Sequence, residues 1–590
     1  MIMKYLFYCC LIVLFVSCKN EGKQLPNIIL VMTDDQGYGD YSCHGNPLLQ
    51  TPHLDRFSTS AVNFTNFHVA TTCSPTRAGL LTGMHCNRTG TWHTVNGRSF
   101  LSTRFPTIAS YLKEIGYHTS IFGKWHLGDN YPFRPQDRGF DEVLVHGGGG
   151  IGQGPDFWGN DYFDDTYLHN GEDKQFNGYC ADVWFGEAIK HITKQSSSGE
   201  PFFCYISSNT AHGPHYAPQQ FIDPFLNNED VVNAGFMGQV ANIDENMGKL
   251  MDAINQRGLK ENTIVIFTND NGTAGGAKLD KRGHVIKGFN AGMRGKKASE
   301  YEGGHRVGFM AQFPESMNIK QSTYNQLTTY TDLVPTIIDI VGDDQAEEKS
   351  FDGKSILPLL KNGEQEDLKE RIVIVDTQRS ELPIKWKRSC IMKDQWRLIN
   401  KTELYNLSFD PGQTDNIIEH HPQLADEFLT SYESWWSDQE PDHLIDNRII
   451  IGTTHENPSL LMSHDWHAEH TPPWHQDHVR SGQISNGPWS LHVAESSDYE
   501  IKLYRWHPSL AHKSDAELMA YDDWKIGKSL KLVSSRIRFN NKELESNDLQ
   551  NGVHFLFKTK LEKGDLDFQT WVTDEEGIER GSYYVEFKKV

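Results

Sequence analysis

The segment Cys73-Ser74-Pro75-Thr76-Arg77-Ala78-Gly79-Leu80-Leu81-Thr82-Gly83 brings together a thiol, a helix start and a guanidinium. Ser74 and Pro75 open a helix well, because proline is tolerated in the first turn. Cys73 then lies at the helix N-terminus, where unpaired N–H groups and the helix dipole favour a negative ligand. Arg77, one turn on, adds a planar cation beside it. Two further pairs, Asp34-Asp35 and Asp270-Asn271, offer hard oxygen ligands suited to Ca2+ or Mg2+. Between Ala277 and Arg306 the chain is basic: Lys278, Lys281, Arg282, Lys287, Arg294, Lys296, Lys297 and Arg306 stand against Asp280, Glu300 and Glu302. In a protein of net charge -22, such an island fits a polyanionic substrate held in a focused pocket.

These groups need elements that deliver them to one place. Four apolar runs do so: residues 27–33 (NIILVMT) lead into Asp34-Asp35, residues 117–122 into Gly123-Lys124-Trp125-His126, residues 202–207 (FFCYIS) towards His212, and residues 263–268 (TIVIFT) into Asn269-Asp270-Asn271. Continuous apolar runs of this length suit strands buried on both faces of a mostly parallel sheet. Helical patterns at 107–115 and 240–257 lie between them. Alternating strands and helices imply an α/β sandwich, whose ligands bind beyond the carboxyl ends of the strands. All four runs put their polar residues at that edge.

The eleven residues from Cys73 resemble the signature of formylglycine-dependent sulfatases, C-x-P-S/T-R followed by L-x-T-G. The resemblance spans about residues 26–442 and implies an alkaline-phosphatase-like α/β sandwich. It implies that Cys73 is oxidised by a maturation enzyme to formylglycine, whose hydrate is the nucleophile. It implies that Asp34, Asp35, Asp270 and Asn271, together with residue 73, bind one divalent cation, Ca2+ preferred in an exported protein and Mg2+ kept open. Lys124 and His126 in Gly-Lys-Trp-His-Leu-Gly resemble a second family signature, in which the lysine binds sulfate and the histidine contacts the formylglycine. His212 and Lys297 match the family's histidine and other sulfate-binding lysine, with Lys296 as the neighbouring alternative and His215 as pocket wall. Residues 92–98, 147–150 and 161–170 resemble sulfatases of marine and gut bacteria that desulfate polysaccharides, which points to a sulfated carbohydrate, ulvan preferred. A formylglycine-dependent phosphodiester or phosphonate hydrolase, a sulfamate-cleaving enzyme and a catalytically dead glycan-binding lipoprotein share much of this pattern.

The rest of the chain sets the context. Of 590 residues, 37% are hydrophobic and 23% charged, ordinary for a soluble globular protein. The negative net charge argues against a nucleic-acid partner, which needs a surplus of Lys and Arg. Lys4 followed by an apolar stretch and Ser17-Cys18 reads as a lipoprotein signal over residues 1–18. Cys18 would then carry a lipid, and the protein would be exported to the periplasm or cell surface, anchored to the outer membrane. Cys9 and Cys10 leave with the signal, and the remaining Cys43, Cys73, Cys86, Cys180, Cys204 and Cys390 are widely spaced and form neither a disulfide framework nor a zinc site. The catalytic α/β domain is expected over 25–370, a small C-terminal sheet subdomain over 371–441, and a β-rich region over 442–590 with alternating segments at 489–493, 499–506, 552–557 and 583–587. His464, His467, His470, His475 and His478 lack cysteine partners and read as a loop near the catalytic mouth, with Trp466 and Trp474 placed to stack on sugar rings.

Overall fold

The computed structural model describes residues 24–342, 350–444, 446–513 and 527–590. The expected signal and Cys18 lie outside the described residues. The strand Asn27–Thr33 runs through the middle of an 11-stranded sheet. All seven of its residues are buried, and they alternate between two cores. Ile28, Leu30 and Met32 enter the core covered by the helices Cys73–Thr82, Ile108–Glu114 and Leu333–Val341. Ile29 and Val31 enter the core under Pro52–Ser60, Cys180–Gln195 and Ala234–Gln256. A strand covered on both faces has no polar side to show, which is why its sequence reads as one apolar run.

Parallel neighbours flank this strand: Thr263–Asn269 on one side, and Phe202–Ser207, His118–Lys124 and Glu142–His146 in turn on the other. Arg306–Gln312 joins antiparallel to Thr263–Asn269 and carries Val62–His68 beyond it. The run read at 117–122 forms the strand His118–Lys124, which ends two residues later than expected because Gly123 and Lys124 stay paired with Ser207 and His146. Lys124 is therefore the last residue of a central strand and is fully buried. Gly123 takes φ 116°, and a Cβ there would lie 2.0 Å from the Ser207 carbonyl oxygen, so only glycine fits.

A four-stranded antiparallel sheet follows (Val373–Asp376, Ser389–Lys393, Trp396–Ile399, Glu403–Asn406). One face packs on Phe428, Tyr432 and Trp436 of the helix Pro422–Gln439. Its other face meets Leu327 and Tyr301 of the large sheet's loops. Arg397, fully buried, ties the two sheets together by donating to Glu302 Oε1 at 2.6 Å and Asn66 Oδ1 at 2.9 Å. The last part of the chain forms a six-stranded and a five-stranded sheet sharing one core with Trp466, Trp489, Phe555, Phe568 and Phe587. Phe100, Phe133 and Trp158 of the first part belong to that same core, so the β-rich region is packed against the α/β sandwich. All six cysteines among the described residues are free thiols. No helix among the described residues is long and apolar enough to cross a membrane.

Removing one partner of a buried ion pair strands the other in a low dielectric. Arg397→Ala, which leaves Glu302 with only the longer contact to Arg306 Nη1 at 3.6 Å, is expected to cost about 3 kcal/mol, read as a lower urea midpoint by tryptophan fluorescence.

Candidate active site

The helix Cys73–Thr82 starts at the carboxyl edge of the large sheet with all ten residues buried. Thr72 supplies no side-chain cap, so the first N–H groups are left for whatever lies beyond Cys73. The strand ends bring the acidic groups to the same spot. Asp34 follows Asn27–Thr33, and Asp270 and Asn271 follow Thr263–Asn269. Ligand atoms of Asp34, Cys73 and Asp270 lie within 4.8 Å of one another.

Every carboxylate here has its own cation. Lys124 Nζ donates to Asp34 Oδ2 at 2.5 Å, with both side chains at 0% exposure. Lys297 Nζ lies 2.5 Å from Asp35 Oδ1, which also accepts from Asn271 Nδ2 at 2.9 Å. Arg77 donates to Asp270 Oδ2 through Nη2 at 2.7 Å and Nε at 3.1 Å, and through Nη1 to Ser207 Oγ at 2.5 Å and the Lys124 carbonyl at 3.2 Å. Its hydrogen bonds thus fix Asp270 and do not reach Cys73. Asp35 has φ 60°, a left-handed conformation that lets its N–H donate to Asp270 Oδ1 at 3.1 Å. Burial alone would raise the Asp35 pKa, but Lys297 beside it holds the carboxyl well below the usual range. Lys296 turns away and donates to the Ala274 carbonyl at 3.3 Å.

Two histidines face this cluster, each with one nitrogen already committed. His126 Nε2 lies 2.8 Å from the Thr94 carbonyl, so it must carry the proton. Burial, then Lys124, hold the ring's pKa well below its ordinary value. The neutral ring therefore presents an acceptor Nδ1, 3.3 Å from Cys73 Sγ. His126 also has φ 59°, and a Cβ on Gly149 would lie 2.2 Å from its ring. His212 Nδ1 donates to the Gly213 carbonyl at 2.7 Å, and Nε2 faces Asp35 Oδ2 at 3.9 Å. Burial, then Lys297, lower its pKa to about 3. His215 points to Gln239 Oε1 at 3.1 Å, against the helix Ala234–Gln256. The structure thus gathers Cys73, Arg77, Lys124, His126, His212, Lys297, Asp34, Asp35, Asp270 and Asn271 into one site. Ser207 was not read as a site residue, and Thr94 and Gly149 lie in segments read only for their resemblance to polysaccharide sulfatases.

The donor set fits a hard divalent cation. Asp34 Oδ1 and Asn271 Oδ1 are buried with no hydrogen-bond partner among the described residues, and leaving a buried acceptor unmatched costs about 1–3 kcal/mol. Burial, then the neighbouring Asp34 charge, push the Asp270 pKa up to about 6. A cation would relieve both conditions.

The histidine-rich stretch does not converge on a metal. His464 Nδ1 pairs with Asp465 at 2.8 Å, His467 with Glu381 at 3.0 Å, and His475 accepts from the Asp477 N–H at 3.2 Å. Trp466 does not face a sugar: it is fully buried between Trp489, which opens the strand Trp489–Val493, and Tyr583, just before the strand Tyr584–Lys589. Trp474 is half-buried, and its carbonyl accepts from the Gly154 N–H at 2.9 Å.

Ca2+ at 100 times its dissociation constant is expected to stabilise the folded protein by about 2.7 kcal/mol, seen as a rise in Tm over chelator-treated protein. Asp34→Asn should abolish that rise. A cation needs the ionised carboxylate, so Ca2+ affinity should fall as pH drops through about 6, where Asp270 takes up a proton. Calorimetric titration between pH 7.5 and 5 checks the sign.

Comparison with known proteins extends this geometry. Residues 26–342 match the Sulfatase family, and residues 295–429 match the C-terminal region of N-sulphoglucosamine sulphohydrolase. The chain is 27% identical over 505 residues to an N-acetylgalactosamine-6-O-sulfatase of Bacteroides thetaiotaomicron, covering 70% of this chain and 94% of that one. It is 30% identical over 365 residues to the N-acetylgalactosamine-6-sulfatase of Rattus norvegicus, covering 58% and 66%. Among solved structures, Ps i-CgsB superposes with TM-score 0.63 at 25% identity over 72% of this chain and 95% of that one. Its complex with k-i-k-neocarrahexaose gives TM-score 0.62 at 24% identity, over 72% and 94%. The Sulfatase match covers more than half of the 590 residues, and the chain belongs to the sulfatase family of sulfuric ester hydrolases.

Proposed function

We propose that this sulfatase removes sulfate esters from a sulfated polysaccharide or its oligosaccharides, with residue 73 as nucleophile, and that ulvan is the substrate. The observation that carries the reading is the approach of residue 73, at a helix N-terminus, to an acceptor nitrogen of neutral His126 at 3.3 Å. Oxidised to formylglycine, residue 73 supplies a hydrated aldehyde whose first hydroxyl attacks sulfur and whose second, once deprotonated, expels sulfate and restores the aldehyde. A divalent cation held by Asp34, Asp35, Asp270, Asn271 and residue 73, Ca2+ in our reading and Mg2+ the alternative, supplies a Lewis acid for a sulfuryl oxygen.

The chain's own groups do the rest. Lys124 and Lys297 bind the sulfuryl oxygens and offset the charge that grows on them. His126 takes the proton from the second hydroxyl through Nδ1, because Nε2 is tied to Thr94. His212 gives a proton to the departing alcohol from Nε2, assisted by Lys297. In the substrate-free site this ring is neutral, and the negative charge of the sulfate ester arriving beside it favours its protonation. Arg77 acts by holding Asp270 in place.

The polysaccharide reading rests on the segments around Trp92, Gly147 and Asp161, and on relatives whose names specify sulfated amino sugars. Export, a lipid anchor at Cys18, residence at the periplasmic or outer face of the outer membrane, and a formylglycine-generating maturation enzyme belong to the same proposal.

Cys73→Ala is expected to lower kcat/KM by at least about 10³-fold, and mass spectrometry of the peptide around residue 73 should show the aldehyde. His126→Ala should cost about 10²–10⁴-fold in kcat. Sulfate release from ulvan oligosaccharides, neocarrahexaose and N-acetylgalactosamine 6-sulfate, with a phosphodiester as control, tests the substrate. Turnover of the phosphodiester alone, or full activity in Cys73→Ala, would overturn the reading.

A further inference from the structure

A second cluster of ligating side chains forms at the end of the strand that precedes Cys73. His68 closes the strand Val62–His68, and Glu302 and His305 belong to the short helical turn Glu302–His305 that leads into Arg306–Gln312. The two strands pair with His68 opposite Arg306, so the three side chains meet at one corner of the large sheet. All three residues are fully buried. One ligand atom from each lies within 4.8 Å of the other two.

The two rings cannot satisfy their surroundings by themselves. His68 Nε2 lies 2.8 Å from Asn66 Oδ1, an oxygen that also accepts from Arg397 Nη2 at 2.9 Å. His305 Nε2 lies 3.2 Å from the Glu300 carbonyl. Both Nε2 atoms face acceptors and must carry protons. The two Nδ1 atoms face each other at 2.9 Å. Three contacts need three protons, and two neutral rings hold two. Burial is the main cause that keeps both rings neutral: it holds His68 well below its ordinary pKa and His305 at about 4. The facing Nδ1 atoms are therefore two lone pairs with no hydrogen between them. Glu302 gives Oε1 to Arg397 Nε at 2.6 Å. Its buried Oε2 has no hydrogen-bond partner among the described residues and lies 3.6 Å from Arg306 Nη1.

We infer that His68 Nδ1, His305 Nδ1 and the Glu302 carboxylate form a second metal site, for a structural transition-metal ion with zinc as its best-fitting occupant, separate from the cation site at Asp34 and Asp270. Two imidazoles and one carboxylate suit Zn2+ and its first-row neighbours, whereas Ca2+ takes oxygen ligands. A metal binds the neutral ring, which is the form that burial enforces here. Nitrogens held by one zinc ion at about 2.0–2.1 Å stand about 3.0–3.4 Å apart, so the rings need to part by only a few tenths of an ångström. Asn66 and the Glu300 carbonyl hold the outer N–H of each ring, as partners of ligating histidines do in metal sites. Arg397 and Arg306 repel a cation here and Glu302 offsets them only in part, which sets the affinity below that of a site with two carboxylates. The ion braces a junction near the reacting groups without touching them. At that junction the Val69 N–H donates to the His305 carbonyl at 2.8 Å, and the Ala298 N–H to the Thr71 carbonyl at 2.8 Å.

The test equilibrates the full-length protein with Zn2+ in excess Ca2+, which fills the other site, then desalts it and counts zinc by plasma mass spectrometry. One zinc ion per chain is expected in the wild type and in Asp34→Asn, which removes a ligand of the other site. His305→Gln should hold at least about tenfold less zinc. Asn66→Ala, which loosens the orientation of His68, should bind zinc about 10–100-fold more weakly. Should a variant not fold, wild-type crystals measured at the zinc absorption edge decide, with an anomalous peak expected between the two Nδ1 atoms. A peak at Asp34 and Asp270 alone, a wild type without zinc, or undiminished zinc in folded His305→Gln would overturn the site. So would a strongly downfield proton resonance shared by the two Nδ1 atoms that persists in zinc-equilibrated protein, because a third proton then fills the gap.

Discussion

Asp34, Asp35 and Asp270 are gathered where they are almost wholly buried, and this concentration of buried negative charge governs the architecture around it. Buried ions are tolerated only when paired and hydrogen-bonded. The parallel sheet solves this by delivering both signs to one edge. The strand that ends in Lys124 lies two places from the strand that precedes Asp34, and their side chains meet there. Arg77 arrives from one turn into the helix Cys73–Thr82 and Lys297 from the basic loop, each matched to a different carboxylate. Removing any one cation would leave a bare charge in a dry place, so these contacts serve the fold as well as the chemistry.

The pairing is balanced in charge but not in hydrogen-bond acceptors. Three cations face three carboxylates, yet oxygens of Asp34 and Asn271 stay unmatched, and Asp270 is driven towards its protonated form. That combination marks a site prepared for an electrophile. The histidines are prepared by the same device: a backbone carbonyl takes the proton-bearing nitrogen of each ring and turns the other nitrogen inward. The left-handed backbone at Asp35 and His126 is the local cost of aiming these groups, and it persists because the surroundings leave no alternative.

Much of this was legible beforehand. Runs 27–33 and 202–207 coincide with strands residue for residue, since both faces are covered and no polar position interrupts them. The strand Arg306–Gln312 was not read, because its opening Arg306 masks an otherwise buried segment and its antiparallel entry breaks the alternation of strands and helices. Helix Ala234–Gln256 starts six residues before the pattern suggested, helped by Asn233, whose side chain accepts from the Phe236 N–H. In the site, charged side chains announced themselves by type and spacing. The Thr94 and Gly213 carbonyls could not, because a backbone acceptor has no residue signature. Trp466 misled for a related reason: its cover comes from Trp489 and Tyr583, and nothing local reveals a partner so far along the chain.

Cys73 is only 2% exposed, at the foot of a helix wrapped by protein on every side. A visiting catalyst large enough to oxidise a thiol has no route to it once the sheet and its helices have condensed. Any such conversion would therefore act on a nascent or unravelled chain, in the interval before collapse. Chemical competence would then be decided by a race between two clocks, one for modification and one for folding. A variant that folds faster would gain robustness yet yield a larger share of molecules locked permanently in the thiol form.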